Sequence, residues 1–355
     1  MYQNQLNFNI TIKILERSLR VANNSYQKFF IKTLIILGIS LLILTVLLLC
    51  IGKIFVGKYV YDGVGYSIHY WIETKTNRAK ELDKKGNKIV FLSGSNTLYG
   101  LDSKYASEKT GLPVLNYGTH AGFGPYLFYD AKSIIKKGDI VILALEPDFY
   151  KKDKDWEISP DILSYLISYD KKYYEKANIK MKFAIIHHML SVCLLNPKIK
   201  SASEWDKEID AIKAELNEYG DLFTTEDILE SVQKRLNGAT IEEDIPKNLK
   251  EMALYRFIQD CKKNNIKVYA VLPNIFHNKT YTENEKKAFE NIQKFYKSQD
   301  VTFIGDIESG SFYDKKLFYN TEYHLNKTGK RLRTEWFIKN ILSLDEIRNG
   351  IRYKK

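Results

Sequence analysis

Residues Thr33 to Gly52 form an unbroken run of twenty residues without a charge, dominated by leucine and isoleucine. At about 1.5 Å per residue such a helix spans a hydrocarbon core of about 30 Å, so the run reads as one transmembrane helix. A cleaved signal peptide would carry a shorter apolar region close to the first residues and a small-residue cleavage site. Here about thirty residues precede a long span that closes in Cys50-Ile51-Gly52-Lys53, the pattern of an uncleaved anchor. Arg17, Arg20, Lys28 and Lys32 flank the span on its N-terminal side against Lys53 and Lys58 on the other. That asymmetry puts residues 1–32 in the cytoplasm and roughly 300 residues in an extracellular or periplasmic space. The other apolar run, Phe183 to Leu195, is too short to span and contains His187 and His188, which favours a buried helix.

Of 355 residues, 45% are hydrophobic and 27% charged, a balance that suits a folded domain rather than a disordered chain. Of the net charge of +11, +5 falls in residues 1–55 and +6 is spread over the remaining 300. Residues 1–55 hold six basic groups and one acidic, leaving 48 basic and 42 acidic over the remainder. With no basic block and no aromatic RNA-binding motif, nucleic acid is not an expected partner, and attraction to an anionic membrane or wall polymer is the economical reading. Cys50, Cys193 and Cys261 are too few and too scattered for a disulfide framework or a zinc cluster. The adjacent His187-His188 pair diverges by about 100° on a helix, so no metal and no cofactor is expected.

After a membrane-proximal connector over residues 53–86, short apolar runs alternate with helical patterns. Lys88 to Leu92, Gly111 to Asn116, Ile140 to Leu145, Lys267 to Leu272 and Val301 to Ile304 read as buried parallel strands. Between them, Pro125 to Ile135, Leu249 to Lys263, Glu283 to Ser298 and Lys327 to Leu342 read as helices, which predicts right-handed βαβ crossovers. Residues 151–250 are charged, amphipathic and tyrosine-rich, with helical periodicity at Trp205 to Tyr219 and Ile228 to Leu236, and read as a helical insertion. The expected architecture is a three-layer α/β domain over residues 87–345, with about five parallel strands, and a tail over 346–355.

Ser95 follows the first strand directly, in Ser93-Gly94-Ser95-Asn96-Thr97. Ligands bind at the carboxyl ends of parallel strands, so this serine is a candidate nucleophile as well as an ordinary helix N-cap. A serine hydroxyl needs a positioned base, and His324 lies in a loop just ahead of the last long helix, with Glu322 two residues before it.

Together these blocks resemble the SGNH (GDSL-type) hydrolase superfamily. Ser93-Gly94-Ser95-Asn96-Thr97 is similar to its Gly-Asp-Ser-Asn-Thr block, and His324-Leu325-Asn326 with Gly329 to its terminal histidine block. Asn116-Tyr117-Gly118-Thr119-His120-Ala121-Gly122 resembles the loop whose glycine N–H helps form the oxyanion hole. The resemblance implies a flavodoxin-like SGNH fold and a serine acyltransferase or esterase. Ser95 and His324 would be catalytic, and the N–H groups of Ser95 and of Gly118 or Gly122 would hold the oxyanion, with Asn96 beside them in the site. Three positions depart from the family pattern. Gly94 stands where an aspartate is usual, Leu145-Glu146-Pro147-Asp148 lacks the usual asparagine donor, and Thr321 stands where the acid is usual. Glu322, or Asn320 at minus four, is then left as the partner of His324. With its anchor the chain resembles the envelope branch of the superfamily, which implies a cell-envelope polymer (polysaccharide or teichoic acid) as acceptor and a membrane-bound O-acyltransferase as partner. A catalytically silent scaffold that binds a polymer or recruits such an acyltransferase is the alternative reading.

Overall fold

The computed structural model describes residues 24–48, 63–153, 160–170, 202–223 and 234–352, with short pieces at 13, 17, 179–180, 182–184 and 187. Most of the Phe183 to Leu195 run and of Ile228 to Leu236 lies outside the described residues. The chain divides into two compact units, Met1–Val60 with Ile186–Ile199, and Tyr61–Ile185 with Lys200–Lys355.

The first unit contains helix α1, Asn24–Leu48, which is long and apolar enough to cross a membrane. Its 25 residues give a length of about 37 Å. The hydroxyls of Thr33 and Thr45 donate to the carbonyls of Phe29 and Leu41 one turn back, at 3.0 and 2.8 Å, so neither needs water. The helix starts nine residues earlier than the uncharged run and takes in Lys28 and Lys32 near its N-terminal end.

In the second unit five strands form one parallel sheet. These are β1 (Ile89–Ser93), β2 (Val114–Gly118), β3 (Ile140–Leu143), β4 (Lys267–Ala270) and β6 (Thr302–Phe303), in the order β2-β1-β3-β4-β6. A separate parallel pair joins β5 (Ile275–Phe276) to β7 (Ser311–Phe312). Taken along the main sheet, the order is that of a flavodoxin-like fold, with β1 at the switch point where successive crossovers leave in opposite directions.

Strand pleat divides the core. Val90 and Leu92 point to one face, covered by α2 (Gly63–Lys85), α5 (Pro125–Ala131), α6 (Pro160–Tyr169), α8 (Ala253–Lys263) and α9 (Glu283–Ser298). Ile89 and Phe91 point to the other, covered by α4 (Ser103–Thr110), α10 (Lys327–Phe337), the π-helical turn Ile338–Leu342 and α11 (Asp345–Arg348). Continuous burial of β1, β2 and β3 on both faces explains why they read as unbroken apolar runs. The remaining helices are α3 (Ser95–Gly100), directly after β1, and α7 (Ala202–Lys213).

Two segments differ from the expected division. Residues 63–85, assigned to a connector, form α2, with Ile68, Ile72, Lys75, Ala79 and Leu82 buried along one stripe. Residues 345–348, at the start of the expected tail, form α11 with Ile347 buried. Within the expected insertion, α6 and α7 are helical, while residues 234–248 run without helix or strand. The insertion is pinned by Lys75, whose Nζ donates to the carbonyls of Asn116 and Gly220 at 2.8 and 2.7 Å, while burial pushes its pKa down to about 7. Asp221 beside Gly220 accepts the Ser103 hydroxyl at 2.8 Å and the Lys104 N–H at 2.9 Å, which closes this buried polar network.

Candidate active site

The turn from β1 into α3 is held so tightly that one residue of it reaches open space. Ser93, Gly94, Asn96 and Thr97 are buried, whereas Ser95 between them is half-buried. Ser95 faces a cavity of about 610 Å³ that also takes in Ala121, Glu146, Asp148, Glu322 and His324.

The Ser95 Oγ lies 2.7 Å from His324 Nε2, and His324 Nδ1 lies 2.6 Å from Asn320 Oδ1. An amide oxygen only accepts, so Nδ1 carries the ring proton and bare Nε2 accepts the Ser95 hydroxyl. That tautomer is the one a general base requires. The imidazole also stacks on Tyr99, with ring centroids 4.0 Å apart and planes 6° from parallel, and Tyr99 stacks in turn with Tyr319 at 5.9 Å. Burial, and secondarily the charge of His120, push the His324 pKa down to about 3, so the ring is neutral near pH 7. Burial likewise pushes the Tyr99 phenol up to about 12, which keeps it neutral beside the imidazole.

A small closed loop sets this geometry. The Tyr319 N–H donates to the His324 carbonyl at 2.7 Å, and Phe318 bridges Leu325, so residue 320 is folded back across from residue 324. Glu322 sits on the other side of that loop. Its backbone carbonyl accepts the Phe276 N–H at 2.7 Å and its carboxylate faces the Asn237 N–H at 3.4 Å. The carboxylate expected at His324 is therefore absent from the ring, and the amide of Asn320 takes its place.

Of the expected oxyanion donors, the two glycine N–H groups are engaged elsewhere. The Gly118 N–H donates to Asn116 Oδ1 at 2.9 Å, and a Cβ on Gly118 would lie 2.2 Å from the Leu98 nitrogen. Gly118 thus lets β2 approach α3 closely, and its N–H is already used. Asn116 completes the join by donating to the carbonyls of Thr97 and Leu101 at 3.2 and 3.0 Å. The Gly122 N–H donates to His120 Nδ1 at 3.0 Å. Asn96 turns its amide away from the cavity, donating to Ser93 Oγ at 3.0 Å and to the Ala144 carbonyl at 2.8 Å. Among the described residues, the N–H groups of Ser95 and Ala121 make no hydrogen bond within the protein. Both residues line the cavity, so their N–H groups are the candidate oxyanion donors there.

Asn320, Tyr99, Ala121 and Glu146 are the site residues that sequence reasoning ranked low or passed over. Tyr99 carries a local signal, since it stands four residues after Ser95 and so on the same helical face. Glu146 follows β3, and its buried carboxylate accepts the N–H groups of Gly94 and Asn96, each at 3.1 Å. Burial raises its pKa, opposed by these hydrogen bonds. Around the mouth, Asp148 pairs with Lys151 at 3.1 Å and Glu242 accepts the Thr240 hydroxyl at 2.9 Å. The cavity lining holds Glu146, Asp148, Glu242 and Glu322 and no lysine or arginine. Among the described residues no group of three or more His, Cys, Asp or Glu side chains is gathered to hold a metal ion.

No family model matches the chain, and no characterised protein matches it in sequence.

Proposed function

We propose that the chain is a membrane-anchored serine acyltransferase or esterase of SGNH type, acting outside the cytoplasm on a cell-envelope polymer. The observation that carries this reading is the Ser95–His324–Asn320 relay, with its 2.7 and 2.6 Å contacts at the switch point of a parallel sheet.

In the proposed reaction His324 Nε2 takes the Ser95 proton as Oγ attacks an ester carbonyl. The carbonyl electron pair moves onto oxygen, where the Ser95 and Ala121 N–H groups stabilise it. As the tetrahedral intermediate collapses, the C–O bond to the leaving alcohol breaks, and the imidazolium returns its proton to that alcohol. The acyl group now on Ser95 passes by the reverse steps to a second hydroxyl. Water as acceptor gives an esterase, and a polymer hydroxyl gives a transferase. An anchored site beside a dense polymer favours the transferase through high local acceptor concentration. Four carboxylates and no lysine or arginine in the lining favour a neutral glycan hydroxyl over a phosphate-bearing chain at the cleft itself. Arg17 and Arg20 before α1, with Lys28 and Lys32 near its N-terminal end, support a cytoplasmic N-terminus. A membrane-bound O-acyltransferase as acyl donor rests on the family resemblance alone.

A silent scaffold is the second reading. Its support is the neutral Asn320, which orients the base but adds no charge to stabilise the imidazolium. A fluorophosphonate probe, which reacts with an activated serine, separates the two. Labelling of the full chain at Ser95, lost in Ser95→Ala, is expected, and absence of labelling where a control esterase labels would reject the enzyme.

A further inference from the structure

We infer that Glu146 is a positioning residue for Ser95, its buried carboxylate fixing the nucleophile turn by accepting the N–H groups on both sides of the serine. The inference rests on the acyl-transfer reading of Ser95 and adds to it a residue that acts through the turn rather than on the substrate.

Geometry supports it at three points. Glu146 Oε2 accepts the Gly94 N–H and Oε1 accepts the Asn96 N–H, each at 3.1 Å, so one planar group bridges the turn from the end of β3. The N-cap of α3 is Gly94, which has no side chain to cap the helix, and Glu146 supplies that acceptor from the segment after β3. The two residues are also fitted to one another. A Cβ at position 94 would lie 2.6 Å from Glu146 Oε1 and 2.7 Å from the Ala121 Cα, so glycine is needed there for space, its φ of −73° being open to any residue.

The consequence is selective. With the N–H groups of Gly94 and Asn96 occupied, the Ser95 N–H is left between them as the donor open to the cavity. The Asn96 amide adds a second tie to the same strand end through the Ala144 carbonyl at 2.8 Å. Both fasten the N-terminus of α3 to β3, while His324 approaches from the opposite end of the chain. The separation of Oγ from Nε2 therefore depends on how firmly Glu146 holds the turn. A displacement of about 1 Å at a reacting atom can cost about 100-fold in rate.

The experiment measures fluorophosphonate labelling of Ser95 in the full chain, as a rate and as the fraction labelled at completion, with the unfolding midpoint of each variant. Glu146→Ala is expected to slow labelling at least about tenfold, while the fraction finally labelled stays near that of the wild type. Glu146→Gln keeps one acceptor oxygen and is expected to fall between the two; it also serves if the alanine variant does not fold. A rate for Glu146→Ala or Glu146→Gln equal to wild type would overturn the inference and leave the nucleophile standing. An unchanged rate with a reduced labelled fraction would overturn it too, since that marks a purely structural residue. No labelling of wild-type Ser95 would remove the acyl-transfer reading and this inference with it.

Discussion

At the residue scale, His324 carries a tension between position and basicity. Its ring is held by Asn320, Tyr99 and Ser95, but burial lowers its pKa to about 3 and no carboxylate restores it. Because the folded value lies below the ordinary value of about 6.5, the base stays unprotonated far into acid. The acid limb of Ser95 labelling should therefore fall well below pH 6.5. Asn320→Asp places a carboxylate beside the Nδ1–H, which favours the imidazolium. It should move that limb upward and raise the rate, whereas Asn320→Ala should lower the rate about tenfold or more through loss of the tautomer. A pH–rate profile of the three proteins checks both, and an unmoved limb in Asn320→Asp would show that Asn320 does not control the base. The difference between Asn320 and Glu322 could not be read from spacing. Position 320 reaches the ring because Tyr319 and Phe318 close the chain on His324 and Leu325, a loop shape that no local pattern in Asn320 to His324 encodes.

At the scale of elements, the joint between β2 and α3 sets the floor of the site. Gly118→Ala would put a methyl group 2.2 Å from the Leu98 nitrogen, which a backbone shift must relieve. Overpacking of this kind costs about 1–3 kcal/mol, so the variant should unfold at lower denaturant concentration with an unchanged slope. Chemical denaturation tests this, and a wild-type midpoint would contradict the close approach. Such joints explain what was legible in advance. Strands β1, β2 and β3 are apolar runs because both their faces are buried, and in the structure Thr282 and Glu285 form a reciprocal capping box at the start of α9. Helix α2 was passed over although Ile68, Ile72, Ala79 and Leu82 fall on one helical stripe. Lys75 interrupts it in the sequence, and its burial becomes sensible only once the carbonyls of Asn116 and Gly220 are seen accepting from its Nζ. Gly118 could not be told apart in advance for a related reason, since a glycine needed for close packing and one needed as a donor look alike in sequence, while the Gly122 N–H is taken by a histidine only two residues away.

At the scale of the whole molecule, the chain joins a helix fit to cross a membrane to an α/β unit with a serine at its switch point. The full protein should therefore remain with the membrane fraction in high salt and at alkaline pH and be released by detergent. Release by salt alone would contradict an integral anchor. The central claim is that Ser95 is a nucleophile activated by His324. The most direct measurement is mass-spectrometric mapping of fluorophosphonate adducts on the full chain, its Ser95→Ala variant and its His324→Ala variant. The predicted result is one adduct at Ser95 in the wild type, none in Ser95→Ala and a strongly slowed reaction in His324→Ala. An unlabelled wild type, or labelling at Ser95 that does not depend on His324, would contradict it.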